Sequence, residues 1–216
     1  MPSFRLLLPL LSVLAFAADD SVTWTFDNLQ KIGGHTVTVL GTPKVIDTPL
    51  GKAVQFNGAT DALFFEVHPL AGAEKFTWEV IFRPDSDGPP AQRFFHMQEN
   101  GSQFRYLFET RIINKQWALD SFANTASGSR ALMDVELLHP ADQWVHVAVT
   151  YDGEVYKNYV NGRTQVHSVV KLSPMGPGRT SVGVRINKVD YFKGAIRLSR
   201  FTRRALPREE FLTVPQ

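Results

Sequence analysis

Short runs of apolar residues recur along the chain, and turn residues separate them at close spacing. Runs of this length, with apolar side chains at every second position, are typical of β-strands. The clearest example is a strand over residues 144–151, an Asp-Gly turn, and two return strands over 155–160 and 163–170 joined by Asn-Gly. Both dipeptides tolerate the positive φ of two-residue hairpin turns, so the pattern predicts a three-stranded meander.

The same pattern predicts strands throughout the chain, and no segment has the longer periodicity of a parallel α/β protein. Residues 84–90 contain three prolines and are predicted to form a loop, because proline cannot donate to a sheet. Residues 205–212 predict one helical turn, which we expect to cover an open end of a sandwich. The other predicted strands are 22–26, 37–40, 53–57, 62–67, 76–83, 93–98, 104–112, 116–122, 130–136, 180–186 and 191–200.

The first 17 residues have the pattern of a secretory signal peptide. Arg5 precedes an apolar stretch that is too short to span a bilayer and that ends in Ala15-Phe16-Ala17. We therefore expect cleavage after Ala17, a secreted or periplasmic location, and a mature chain over residues 18–216 that forms a single domain. No later segment is apolar enough for a membrane span, so none is expected in the mature chain.

Composition narrows the possible functions. The chain has no cysteine, which excludes a disulfide framework, a thiolate metal site and a cysteine nucleophile. The 23 Lys and Arg residues nearly balance the 21 Asp and Glu residues, and they are not clustered on one element. Nucleic acid is therefore not an expected partner.

Four segments, in order, resemble the laminin-G-like jelly-roll domains of the concanavalin A-like lectin and glucanase superfamily. The resemblance implies an all-β fold, a jelly-roll sandwich of two antiparallel sheets, here followed by the short helical turn. Members include lectins, adhesion modules, glycosidases and lyases, so the fold alone does not assign an activity. The matching segments are residues 51–58, residues 76–84, residues 144–153 with 159–162, and residues 192–197 followed by 204–207 and 210–212.

Several members of that superfamily bind calcium, so the resemblance makes calcium a candidate cofactor. Asp27, Asn57 and Asp61 are the candidate oxygen ligands in this chain. Turns also favour Asp and Asn for backbone reasons. The last strand has Ile196-Arg197 where many relatives have an acidic pair after the isoleucine, which leaves the calcium site open.

The predicted strand over residues 104–111 has the side chains best suited to a binding or catalytic site. Side-chain alternation places Arg105, Glu109 and Arg111 on one face, opposite Phe104, Tyr106 and Phe108. If neighbouring strands add polar residues to that face, guanidinium and carboxylate groups could bind sugar hydroxyls or the carboxylate of an acidic sugar. The alternative is a solvated face with cross-strand ion pairs. The residues expected to join this face are His96, Gln98, Asp120, Arg185 and Asn187.

Aromatic rings commonly stack on sugars, and Trp117 and Tyr106 are the candidate platforms. Trp117 is open to a core interpretation as well, whereas Trp24, Trp78 and Trp144 lie in apolar strands and are expected in the core.

An enzymatic alternative follows from a partial resemblance to alginate-lyase-like jelly rolls. It assigns β-elimination on an acidic polysaccharide to His96, Arg111, Arg185 and Tyr191. The paired carboxylates of the superfamily's glycosidases are absent, since Glu79 stands alone on its strand. The favoured interpretation is an exported glycan-binding or surface-adhesion module whose partner is a carbohydrate or a glycosylated surface protein. A lyase and a structural domain without a small ligand remain the alternatives.

Overall fold

A computed structural model describes residues 20–214, and the predicted signal segment lies outside the described residues. The chain is almost entirely β-structure, and every strand pairing is antiparallel. The strands are β1 (Ser21–Thr25), β2 (Lys31–Ile32), β3 (His35–Thr36), β4 (Thr38–Leu40), β5 (Lys44–Thr48), β6 (Gly51–Asn57), β7 (Ala62–Phe65), β8 (Phe76–Pro84), β9 (Ala91–Glu99), β10 (Arg105–Ile113), β11 (Gln116–Thr125), β12 (Gly128–Met133), β13 (His139–Pro140), β14 (Val145–Tyr151), β15 (Val155–Val160), β16 (Arg163–Val169), β17 (Gly178–Val182) and β18 (Lys193–Thr202), followed by a 3-10 turn at Arg208–Glu210.

Two large sheets form the sandwich. The first sheet has the order β16-β15-β14-β8-β18-β6-β5, and β1 pairs with the end of β18 that β6 does not reach. The second sheet has the order β12-β11-β10-β9-β17-β7-β4, with β13 paired to β11. Strands distant in sequence are neighbours in both sheets, as the jelly-roll prediction requires. The predicted all-β sandwich of two antiparallel sheets is therefore confirmed.

Aromatic rings fill the space between the sheets. Trp78 of β8 packs against Phe108 of β10 with ring centroids 4.1 Å apart, and Phe82 stacks on Phe94 of β9 at 4.3 Å. Alternation brings these rings to the inner face of each sheet, where all four are fully buried. Their burial supplies much of the hydrophobic stabilisation that a chain without disulfides needs.

The two predicted hairpin turns differ from each other. Asn161 and Gly162 have φ of 47° and 72° and connect β15 to β16 in two residues, as predicted. The Asp-Gly connection is three residues long, because the Asp152 carboxylate accepts N–H groups of Glu154 at 3.0 Å and Val155 at 2.8 Å. The side chain thus supports a wider turn than the dipeptide predicted.

The prediction for the C-terminal segment is corrected in length and place. Its helical turn is limited to Arg208–Glu210, and the segment covers the outer face of the first sheet rather than an open end. Leu206 and Phe211 pack on Ala148 and Tyr159, two apolar side chains that β14 and β15 direct away from the main core. Covering them is the physical reason for this path. Within residues 20–214, no helix has the length and apolar character to cross a membrane.

Candidate functional site

The predicted polar face of β10 lies on the outer side of the second sheet. Tyr106 and Phe108 belong to the main core, as the alternation predicts, and Arg105, Glu109 and Arg111 point the other way. Strand register fixes their neighbours, because Glu109 lies opposite Asp120 of β11 on one side and opposite Arg93 of β9 on the other. This outer face of β9, β10 and β11 is the candidate functional site.

Glu109 and Asp120 form a buried carboxylate pair between two arginines. Arg111 Nη2 donates to Glu109 Oε2 at 2.9 Å and to Asp120 Oδ2 at 2.6 Å. Arg93 Nη2 lies 3.2 Å from Glu109 Oε2, and its Nη1 lies 2.6 Å from Asp190 Oδ2. The two carboxylates are only 4% and 5% exposed. Each arginine thus bridges two carboxylates.

Asp120 differs from an ordinary carboxylate in its proton affinity. Burial, the charge of Glu109 and a hydrogen bond to Glu109 raise the pKa of Asp120 to about 7, although Arg111 and Arg93 oppose this shift. Two carboxylates held at short range by one arginine, here Arg111, cannot both ionise freely. Asp120 therefore takes up or releases a proton close to neutral pH.

Three arginines lie near His96 on the same face. Arg179 of β17 and Arg105 of β10 both lie opposite Gln98 of β9, and Ser181 of β17 lies opposite His96. Arg105, Arg179 and Arg185, here called the arginine cluster, all act electrostatically on His96. Within residues 20–214, none of the three forms an ion pair with a carboxylate.

His96 itself is buried and neutral. Its Nδ1 accepts the Ile186 N–H at 3.0 Å, so Nε2 bears the proton. Burial first, then Arg185, Arg105 and Arg179, lower the pKa of His96 to about 3. Nε2–H is buried and has no hydrogen-bond partner among the described residues.

Unpartnered polar atoms are concentrated on this face. Buried groups in proteins normally have hydrogen-bond partners, so such a concentration points to a site that a ligand or solvent completes. Within the described part of the chain, the buried side-chain atoms without a partner on this face are His96 Nε2, Arg93 Nε, Arg105 Nε, Arg111 Nη1 and Asp120 Oδ1.

Both predicted aromatic platforms are wrong. Trp117 is fully buried, and its Nε1 donates to the Pro140 carbonyl at 3.1 Å. Tyr106 is 2% exposed and packs on Phe76, with ring centroids 4.8 Å apart, and burial raises the pKa of its hydroxyl. Neither ring can stack on a sugar, because each faces the space between the sheets.

The prediction that Trp144 lies in the core is also wrong, because its side chain is half-buried. The Arg83 guanidinium lies 5.8 Å from the centre of its ring. Trp144 lines an open cavity of 620 Å³ with His146, Asn161 and Phe211. Alternation could have found this position, because the inward residues of β14 begin at Val145 and leave Trp144 on the outer side.

Arg185 and Asn187 occupy the loop between β17 and β18. A hydrogen bond from Lys188 N to Arg185 O at 2.7 Å folds the loop back, and this brings the Ile186 N–H to His96. Arg185 therefore joins the arginine cluster, whereas Asn187 is exposed at the turn. Sequence reasoning missed Arg93 and Arg179, which only strand pairing brings to this face.

The four residues of the lyase alternative are divided over the face. Arg185 adjoins His96, but Arg111 is bound to the carboxylate pair, and Tyr191 follows Asp190, the partner of Arg93. A general base needs a free lone pair and a pKa near the working pH. His96 has neither, because Nδ1 is occupied and the pKa is about 3. This geometry disfavours His96 as the base of an elimination.

The candidate calcium ligands do not assemble a site. Asn57 Oδ1 accepts the N–H groups of Ala59 and Thr60 at 2.9 Å each, and Asp61 accepts those of Thr42 at 2.9 Å and Asn57 at 3.2 Å. Asp27 bonds the neighbouring Asn28 at 2.7 Å. The Asn57 and Asp61 oxygens cap turns, and the Asp27 oxygen accepts a side-chain amide, so the three residues do not form one cation site. Among residues 20–214, no group of three His, Cys, Asp or Glu side chains is placed to hold a metal ion.

Glu79 is not isolated, contrary to its appearance in the sequence. It is fully buried on the outer side of the first sheet, where it accepts His146 Nε2 at 3.0 Å, Arg200 Nε at 2.6 Å and Leu212 N at 2.7 Å. Burial alone would raise its pKa, but the hydrogen bonds from His146, Arg200 and Leu212 lower the pKa of Glu79. Its role is to hold the C-terminal segment on the sheet.

Comparison with known families agrees with this fold. A Laminin G family model of the Concanavalin A-like lectin/glucanases superfamily matches residues 57–211. The chain belongs to this superfamily. The matched region includes β7 to β18 and so contains the carboxylate pair and the arginine cluster. No curated protein matches the sequence.

Several solved structures have a similar fold. Domain 4 of AbnA, a GH43 extracellular arabinanase from Geobacillus stearothermophilus in complex with arabinotriose, is 17% identical with a TM-score of 0.59, covering 88% of this chain and 94% of that one. The binding domain of botulinum neurotoxin DC, in complex with SialylT, is 13% identical with a TM-score of 0.65, covering 89% and 49%. The NanB sialidase of Streptococcus pneumoniae is 20% identical with a TM-score of 0.55, covering 68% and 24%. This chain thus spans half of the toxin domain and a quarter of the sialidase.

Proposed function

We propose that this protein is an exported glycan-binding module that holds its ligand on the outer face of β9, β10 and β11. The observation that carries the proposal is the set of buried, unpartnered donors and acceptors on that face. Sugar hydroxyls both donate and accept hydrogen bonds, so one saccharide can pair with guanidinium N–H groups and with a carboxylate oxygen. The ligand is a carbohydrate, free or attached to a surface protein, and in the second case the module acts in adhesion.

Two further facts support the proposal. The fold belongs to a superfamily of lectins and glucanases, and the arabinanase domain with the same architecture was solved with arabinotriose. Export is inferred from residues 1–17, where an apolar stretch ends in Ala15-Phe16-Ala17. A module outside the cytoplasm is placed where polysaccharides and glycosylated surfaces occur.

Calorimetric titration against a panel of oligosaccharides tests the binding function. We expect Arg185→Ala to weaken binding about 10-fold, because a hydrogen bond to a charged group contributes about 1.5–3 kcal/mol. Trp144→Ala, on the outer side of the first sheet, should leave the affinity unchanged. The reverse result would move the site to the Trp144 cavity, and release of unsaturated product would indicate a lyase.

Export is tested on the full-length chain expressed with its own N-terminus. Mass spectrometry of the exported protein should give a mature chain beginning at Ala18. Recovery of the protein with residues 1–17 intact would contradict this part of the proposal.

A further inference from the structure

Positive charge is left uncompensated at one place on the proposed binding face. Several other arginines in the described part of the chain have carboxylate partners, as Arg83 has Asp85 at 3.3 Å and Arg204 has Asp20 at 2.9 Å, and others that lack one, such as Arg163, are exposed on the surface. Arg105, Arg179 and Arg185 have none within residues 20–214, although Arg105 and Arg179 both lie opposite Gln98 and all three act electrostatically on His96. Burial and the proximity of Arg185 lower the pKa of Arg105, which shows how the cluster disfavours its own charge.

The carboxylates of the same face do not neutralise the cluster. Glu109 attracts Arg105, but its Oε2 is already shared between Arg93 at 3.2 Å and Arg111 at 2.9 Å. Arg105 instead donates Nη1 to the Gln103 carbonyl at 2.8 Å, and its guanidinium lies 4.9 Å from the centre of the Phe122 ring. The cluster therefore keeps a net positive charge beside a carboxylate pair that is already bound.

His96 adds a hydrogen-bond donor at the centre of this charge. Its side chain is 1% exposed, and its Nδ1 is fixed by the Ile186 N–H, so the proton is on Nε2. That donor has no acceptor among the described residues. An unpaired buried donor costs about 1–3 kcal/mol, and an incoming acceptor would remove this cost.

We infer that the arginine cluster and His96 form an anion subsite, and that the glycan bound on this face is acidic, with a uronate carboxylate or a sulfate ester as its charged group. The inference rests on the proposed glycan-binding function and specifies its ligand class. The anionic oxygen accepts the His96 Nε2–H, and the guanidinium groups of Arg105 and Arg185 bind the remaining oxygens. Arg179 is exposed, so it meets the anion at the solvent side of the subsite.

The test compares polygalacturonate, dextran sulfate and uncharged dextran by calorimetry on the exported protein. We expect the acidic polymers to bind at least about 10-fold tighter than dextran at low salt, and the difference to shrink as salt is added. Polygalacturonate and dextran sulfate distinguish a carboxylate from a sulfate ligand. The double variant R179Q/R185Q should lose at least about 10-fold in affinity for the preferred acidic polymer.

Arg163→Gln is the control for charge removal, because it removes one of the two charges that the double variant loses, from an exposed position on β16 of the first sheet. It should leave the affinity within about 2-fold, and both variants should keep the thermal stability of the parent chain. Equal binding of dextran and the acidic polymers, or an equal loss in Arg163→Gln, would overturn the anion subsite and leave glycan binding intact. Failure to bind any polysaccharide would overturn the proposed function and the subsite together.

Discussion

Asn158 is a fully buried polar side chain that joins the two sheets. From β15 its Nδ2 donates to Ser121 Oγ at 3.1 Å and to the Leu132 carbonyl at 3.0 Å, both in the second sheet. Its Oδ1 accepts the Val166 N–H at 2.8 Å, where the pairing of β15 with β16 is irregular. One amide thus satisfies three groups that the surrounding apolar core could not.

Replacing this amide should be costly. We expect Asn158→Ala to lower the free energy of unfolding by about 2–4 kcal/mol, because buried donors and acceptors lose their partners. Urea unfolding measures the change. Asn187→Ala, at an exposed turn, should stay within about 0.5 kcal/mol of the parent. A loss equal to that of Asn187→Ala would show that Asn158 is not a structural link.

Asp120 predicts a pH dependence of stability. Its pKa is raised from 3.8 to about 7 in the folded protein, so the folded state binds more protons than the unfolded state between those values. Stability contributed by this proton is present at low pH and is lost as pH rises towards 7. Asp120→Asn cannot ionise and should flatten this part of the profile.

Urea unfolding from about pH 4 to pH 8 measures this dependence. Above neutrality, the free energy of unfolding of Asp120→Asn should rise by about 1–3 kcal/mol relative to the parent, a gain that the loss of the Arg111 ion pair keeps small. Parallel profiles for the parent and the variant would mean that Arg111 keeps Asp120 ionised throughout.

At the scale of elements, the C-terminal segment depends on a buried ionic group and a small apolar cluster. Glu79 accepts the Leu212 N–H at 2.7 Å, and Phe211 packs on Tyr159 with ring centroids 5.1 Å apart. Four apolar side chains from β14, β15 and the segment form a cluster separate from the main core. The segment therefore contributes to stability as a cover for the first sheet.

Phe211→Ala should lower the free energy of unfolding by about 2–3 kcal/mol, less than a main-core aromatic because the ring is 8% exposed. Hydrogen exchange at the Leu212 amide should speed up by a larger factor than exchange in β9. Val169→Ala, which is 66% exposed in the parent, is the control and should have little effect. Unchanged exchange at Leu212 would contradict the covering role.

Strand prediction succeeded where one face of a strand is apolar and failed where neither is. β8, β10, β14 and β18 have buried inner residues and were predicted nearly to their ends. β5 was missed, because its five residues are exposed or half-buried at a sheet edge and show no apolar face. β2 and β3 were missed because each is only two residues long, which is too short to show alternation.

For the whole molecule, the site is made by strands that are far apart in sequence. β17 pairs with β9, although β10 to β16 lie between them in the sequence. This pairing brings Arg179 and Ser181 beside Gln98 and His96. The first sheet has a different outer face, covered by the C-terminal segment. The outer sides of the two sheets thus differ, because the second carries the polar groups of the candidate site and the first is partly covered by the C-terminal segment.

The sequence by itself determined the all-β class, the main strands, the superfamily and the polar side of β10. These follow from local alternation, turn residues and ordered motifs, which are properties of neighbouring positions. Tertiary structure alone decided that Trp117 is fully buried and Trp144 only half-buried, that Arg93 pairs with Glu109, and that three arginines lie near His96. Those outcomes depend on strand order and register between distant segments, which alternation within one strand does not specify.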